Sequence, residues 1–238
     1  MAGKYSIFGE AGEPEEFIPE GGLTGAAGCA RTLLAADLRT ALARFGVRPA
    51  DVFIVSAMAG PKDIVSQIRA HSARLGSSGA LPFSTGAWGA KPSLTIVAAV
   101  PLSSGAVLSR IIEAGRRDLD IVCLVINGGC AQRAASYDRE LASVAGSVGM
   151  SFIARCVPGE EECAQTLFDA LRRRGFSFVE VVGTCGVCPG AQEADVPEMR
   201  GVLIEKEPRS GADSKAPGFK PAPRSAQEID AAWTVFRC

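Results

Sequence analysis

Apolar positions fall along this chain in two alternating rhythms. Leu94 to Val100 is a continuous apolar, β-branched run, Ser103 to Arg117 carries helical spacing, and Ile121 to Ile126 is continuous again. Together they predict a strand, loop, helix and strand between Ser93 and Gly129. Two parallel strands joined by a crossover helix leave the loop after the first strand at the carboxyl edge of the sheet. Open α/β sheets bind ligands at that edge, so Val100 to Gly105 is where chemistry is first expected.

The same alternation runs through most of the chain. Leu34, Leu38, Leu42 and Phe45 share one face of a helix predicted from Cys29 to Phe45, which Gly46 stops. Asp51 to Ser56 reads as a buried strand. The chain is then expected to turn through Gly60-Pro61 into a second helix that carries His71 as a polar surface residue. Gly76 to Pro92 is rich in small residues and holds two prolines, so propensity supports neither a strand nor a long helix there.

Farther on, Tyr137 to Val148 reads as a helix, Ser151 to Arg155 as a strand, Glu160 to Arg174 as a helix and Phe178 to Val182 as a strand. Acidic residues open the Glu160 helix and arginines close it, which suits the helix dipole without a ligand. The pattern predicts an α/β fold with a mostly parallel sheet flanked by helices.

Residues 1–27 read as an N-terminal arm, 28–188 as the α/β domain, and 189–238 as an extended Pro-, Gly- and charge-rich tail. Within that tail a terminal helix is predicted from Ser225 to Phe236, with Ser225 and Glu228 as a capping box. Ile229, Trp233 and Phe236 would dock it on the body or on another subunit.

Composition narrows the classes of function. The 238 residues carry 25 basic and 26 acidic side chains, a net charge of −1 that provides no electrostatic footprint for nucleic acid or an anionic membrane. No apolar run approaches the roughly 18–20 residues of a membrane helix, and the acidic N-terminal stretch does not read as a signal peptide. A cytoplasmic location is the expectation. Eight cysteines in such a chain suggest buried thiols or metal ligands before disulfides.

Three stretches, taken in order, resemble the thiamine-diphosphate-binding β subunit of the 2-oxoacid:ferredoxin (acceptor) oxidoreductases. GALPFSTGAWGAKPSLTIV resembles the segment leading into that family's cofactor-binding strand. RRDLDIVCLVING resembles the following strand, and FVEVVGTC the strand that ends in a cluster cysteine. The resemblance covers roughly residues 20 to 185. It implies a thiamine-diphosphate-binding fold, oxidative decarboxylation of a 2-oxoacid to an acyl-CoA, Mg and a 4Fe-4S cluster as cofactors, and α/γ-type subunits or a second β-like chain as partners.

The residues at the matching positions depart from the family pattern. Its glycine-aspartate-glycine-aspartate motif, whose carboxylates suit a hard cation beside the diphosphate, falls on Ala99, Val100, Pro101 and Leu102. Its asparagine pair falls on Asn127 and Gly128, and its histidine on Ser77. The cluster's first two cysteines fall on Thr24 and Ala27, the third near Gly60, and only the fourth has a counterpart, Cys185. Val100, Leu102, Ser103 and Asn127 are therefore the degenerate cofactor-binding positions.

Other residues carry competing readings. Cys185 and Cys188 form a CxxC, and the resemblance places Cys29 beside it. The three thiols are either Zn or Fe ligands lacking a fourth partner, a redox dithiol with a neighbour, or structural thiols. Ser103, Ser104 and Gly105 either bind a phosphate at a helix N-terminus or simply cap that helix. Arg116 and Arg117 read as dipole partners or an interface pair, Cys123 as core, and Cys130 as a candidate exposed thiol.

Three functions follow. The first is a degenerate β-type subunit that shapes an oxidoreductase complex without itself binding thiamine diphosphate. The second is an active β subunit with altered cofactor contacts, and the third a thiol or metal redox module built on the CxxC.

Overall fold

The computed structural model describes residues 13–23, 25, 28–58, 63–76, 78–102, 105–127, 141–148, 150, 152–183 and 201–205. A seven-stranded sheet runs through them: β1 (Val52–Ser56), β2 (His71–Arg74), β3 (Thr95–Pro101), β4 (Ile121–Asn127), β5 (Phe152–Cys156), β6 (Ser177–Val182) and β7 (Gly201–Glu205). Their order across the sheet is β2-β1-β3-β4-β6-β5-β7. All neighbours are parallel except β7, which pairs antiparallel with β5.

Five helices accompany the strands among the described residues: α1 (Ala30–Phe45), α2 (Ala80–Ala90), α3 (Gly105–Arg117), α4 (Leu141–Ser147) and α5 (Glu161–Arg172). The sheet divides the core into two layers because successive strand residues face opposite sides. Leu34, Leu38 and Leu42 of α1 and Leu167 and Leu171 of α5 pack with Val97, Leu124 and Val179 on one face. Trp88 of α2 and Val107 and Ile111 of α3 pack with Ile96, Cys123 and Phe178 on the other. This is the α/β fold with a mostly parallel, helix-flanked sheet that the alternation predicts.

Three segments differ from the sequence expectation. The helix expected after Gly60-Pro61 is a single 3₁₀ turn, Ile64–Ser66, and His71 begins the edge strand β2. Ile64 and Ile68 both bury, and their spacing of four imitates a helix. β2 left no alternating signal because His71, Ser72 and Arg74 are exposed. In Gly76 to Pro92, Leu81, Ser84, Thr85 and Trp88 bury at helical spacing along α2. Ser and Thr occupy two of the five buried positions of α2, Ala80 being the fifth, so hydropathy hides the pattern; Thr85 Oγ1 satisfies itself on the Leu81 carbonyl at 3.0 Å.

The third difference lies at the ends. Pro14–Phe17 forms a 3₁₀ turn whose Phe17 is fully buried against α1, so this part of the arm packs on its own chain. β7 lies in the stretch that composition reads as tail. The terminal helix expected at Ser225 to Phe236, Cys130, and the first residues of the helix expected at Tyr137 lie outside the described residues.

α1 also holds the turn between β5 and α5. Asp37 Oδ2 accepts the Gly159 N–H at 2.8 Å, and burial pushes the Asp37 carboxyl up more strongly than the contacts with Gly159 and Cys163 pull it down. A carboxyl that binds its proton more tightly in the folded state loses stability as pH rises through the ordinary value of 3.8 toward the folded one. Asp37→Asn keeps an oxygen acceptor and removes the titration. In urea titrations the variant should therefore gain on the parent as pH rises above the ordinary value of 3.8. A stability difference that does not change with pH would contradict this assignment.

Candidate functional site at the carboxyl edge

The connections decide where a site can form. The turn after β1 leads to β2 on its left, whereas the connections after β3 and β4 lead rightward across the sheet. Neighbouring strands whose connections diverge open a crevice at their carboxyl ends, here between β1 and β3. Leu102 follows β3 at that edge.

Register sets the side chains that share the α3 face. Val100 lies beside Val125, Val125 beside Glu180 and Glu180 beside Arg155, one row across β3, β4, β6 and β5. The next row toward the edge holds Asn127 beside Val182, with Leu102 tied to β4 by its N–H on the Ile126 carbonyl at 3.0 Å. Val100 is 1% exposed and Leu102 6%. The β3 end of the crevice is therefore lined by buried hydrocarbon on this face.

Asn127 is bound inward. Its Nδ2 donates to Glu180 Oε1 at 3.0 Å, while Glu180 Oε2 accepts Arg155 Nε at 2.9 Å and a terminal guanidinium nitrogen at 2.8 Å. Glu180 is fully buried and Arg155 and Asn127 nearly so. A buried carboxylate is tolerated where it is paired and hydrogen-bonded, and here a two-pronged Arg contact and an amide meet both requirements. The sequence reading missed this pair. Its signal was present, a single charge inside each of two apolar strands, FIARC and SFVEVV.

A second polar group pins the β1 turn. Ser56 Oγ donates to Asp63 Oδ1 at 2.6 Å and accepts the Met58 N–H at 3.1 Å, and Arg74 Nε lies 3.3 Å from Asp63 Oδ2. Asp63 is fully buried, so its carboxylate ties the ends of β1 and β2 together beneath the crevice.

Cys29 is fully buried at the N-cap of α1. Gly183, which follows β6, lies so close to Ala30 that a Cβ there would meet the Ala30 Cβ at 2.9 Å. The start of α1 and the end of β6 thus adjoin. Cys185, Cys188, Ser103 and Ser104 lie outside the described residues. Among the described residues no cluster of three or more His, Cys, Asp or Glu is placed to hold a metal ion. Cys123 is core, and burial pushes its thiol well up. Arg117 pairs with Glu113 one turn earlier on α3.

Among the described residues, the β3 and β4 ends supply few oxygens for a magnesium diphosphate. A hard cation needs several oxygen ligands; Val100 and Leu102 offer none, and Asn127, whose Nδ2 is held by Glu180, adds a single amide oxygen. Among the described residues, no helix is long and apolar enough to cross a membrane.

Comparison with known proteins places the architecture. No family model matches the chain, and no curated protein matches it. Among solved structures, a 2-oxoglutarate:ferredoxin oxidoreductase from Magnetococcus marinus, determined with 2-oxoglutarate, coenzyme A and succinyl-CoA bound, superposes with a TM-score of 0.72. The match covers 98% of this chain and 92% of that chain at 14% identity. An enzyme from Mycobacterium smegmatis described as thiamin diphosphate-dependent aligns at TM-score 0.46 and 17% identity, over 69% of this chain and 33% of that one. The chain has the mostly parallel α/β fold of the 2-oxoglutarate:ferredoxin oxidoreductase.

Proposed function

We propose that this chain is a β-type subunit of a 2-oxoacid:ferredoxin oxidoreductase-like complex that keeps the fold, does not itself bind thiamine diphosphate, and serves as a structural or regulatory part. The observation that carries this reading is the chemistry at the β3 and β4 ends. Buried Val100 and Leu102 stand where a metal-bound diphosphate would need carboxylates, and Asn127, its Nδ2 held by Glu180, contributes one amide oxygen where several are needed. The oxidoreductase fold supports the family context. Partners on this reading are α/γ-type oxidoreductase chains or a second β-like chain that carries the missing aspartates.

Calorimetric titration of the full chain with thiamine diphosphate and Mg²⁺ tests the central point. No saturable heat is expected up to millimolar ligand. Saturable binding that requires Mg²⁺ would overturn the reading. Affinity capture of the tagged chain from its native cells should bring down an oxidoreductase chain with an intact aspartate motif.

A further inference from the structure

A pair of thiols lies outside the carboxyl-edge site. Cys156 is the last residue of β5 and Cys163 lies in the first turn of α5, and their Sγ atoms are 3.0 Å apart, with Cys163 donating its S–H to Cys156. The remaining separation from a disulfide, whose sulfurs lie ~2.0 Å apart, is about 1 Å. Cys163 also touches the Asp37 carboxylate of α1. All three groups meet where the β5–α5 turn leans on α1.

The turn that brings the thiols together is built for one shape. Gly159 takes a positive φ of 85°, and its N–H is held by Asp37 Oδ2 at 2.8 Å. Glu160 and Cys163 continue the turn with backbone bonds to Val157 and Glu160 at 3.2 and 3.0 Å. A Cβ on Gly159 would meet Leu33 Cδ1 of α1 at 3.0 Å. Thiol proximity is thus a product of backbone anchored at three points, not of two free side chains drifting into contact.

We propose that Cys156 and Cys163 are a peroxide-responsive dithiol, oxidised to an intramolecular disulfide that fastens the end of β5 to the start of α5. Cys156 is the attacking thiol because it is the more accessible of the two, 3% exposed where Cys163 is fully buried. Its thiolate sulfur displaces one oxygen of hydrogen peroxide, breaking the O–O bond; the leaving hydroxide takes up the thiol proton as water and Cys156 becomes a sulfenic acid. Cys163 Sγ then attacks that sulfur and expels the hydroxyl, which leaves as water with the Cys163 proton relayed by Asp37. Two thiols and one peroxide give one disulfide and two waters.

Burial selects the oxidant. Cys156 is 3% exposed and Cys163 fully buried, so a small peroxide reaches them during local opening of the turn more readily than a bulky disulfide does. The proposal is independent of whether the chain binds thiamine diphosphate.

Reduced full-length protein is treated with hydrogen peroxide, denatured, blocked with N-ethylmaleimide and cut with trypsin. Cleavage after Arg155 and Arg172 leaves both thiols on one peptide. That peptide is expected without maleimide and lighter by two hydrogens than its reduced, unlabelled form, and Cys123 is expected to remain labelled. Recovery of the peptide with two maleimides, or of either cysteine joined to a different one, would overturn the proposal. C163S should halt Cys156 as a dimedone-trapped sulfenic acid, whereas C156S should leave Cys163 fully alkylable. Equal dimedone trapping in the two variants would refute the assignment of Cys156 as the attacking thiol.

Discussion

Glu180→Ala should destabilise the protein by about 3–5 kcal/mol, the range for removing one partner of a buried ion pair. The carboxylate is fully buried, accepts two guanidinium nitrogens of Arg155 and takes the Asn127 amide on its other oxygen. Its loss removes the carboxylate oxygen that two Arg155 guanidinium nitrogens share on the buried α3 face. Glu180→Gln keeps the shape and should lose less, because the amide oxygen still accepts one donor.

Replacing both partners with apolar residues, Glu180→Leu with Arg155→Met, should recover much of the single-variant loss, since neither desolvated charge then remains. Chemical denaturation of the four proteins provides the cycle. Simple additivity of the two single losses would show that the pair is not coupled as the geometry requires.

Gly175→Ala should follow closely, with a loss of about 2–4 kcal/mol from left-handed backbone and a displaced buried hydrogen bond. Gly175 has a φ of 84°, and a Cβ there would lie 2.4 Å from Asp118 Oδ1. That oxygen accepts the Phe176 N–H at 2.9 Å, while Asp120 Oδ1 accepts the Gly175 N–H at 2.6 Å and Asp120 Oδ2 takes Arg174 at 3.0 Å. Two aspartates that precede β4 therefore hold the turn entering β6, and alanine would push one of them off its donor.

Gly86→Ala is the control. A Cβ on Gly86 meets nothing within 4 Å in the middle of α2, so the variant should gain about 0.4–1 kcal/mol. Equal melting temperatures for Gly175→Ala and the parent protein would remove the steric account.

The parts of this fold that could be read from the chain are those buried on two sides. β3, α3 and β4 announce themselves because both strands lack an exposed face and the helix between them has a single apolar stripe. α2 stayed hidden because Ser84 and Thr85 stand in for hydrocarbon at core positions. β2 stayed hidden because three of its four side chains face solvent.

The candidate site divides in the same way. The apolar character of Val100 and Leu102 is a property of single residues and was legible. The engagement of Asn127 was not, since it depends on a register that sets Val125 beside Glu180 and Glu180 beside Arg155, residues far apart in the chain. In sequence Cys156 falls just after a predicted strand and Cys163 within a predicted helix, with no visible relation. Only the turn at Gly159 joins them.

The two margins of the sheet are finished differently. On the β5 side, the antiparallel β7 supplies a neighbouring backbone drawn from a distant part of the chain. On the β2 side the sheet stops at four residues, His71 to Arg74, with Arg74 spent on the buried Asp63. A margin so short and hydrophilic is a poor template for another molecule's strand. Brevity thus makes the β2 margin resist edge-to-edge polymerisation, while β7 takes the place beside β5 that a strand of another molecule would need.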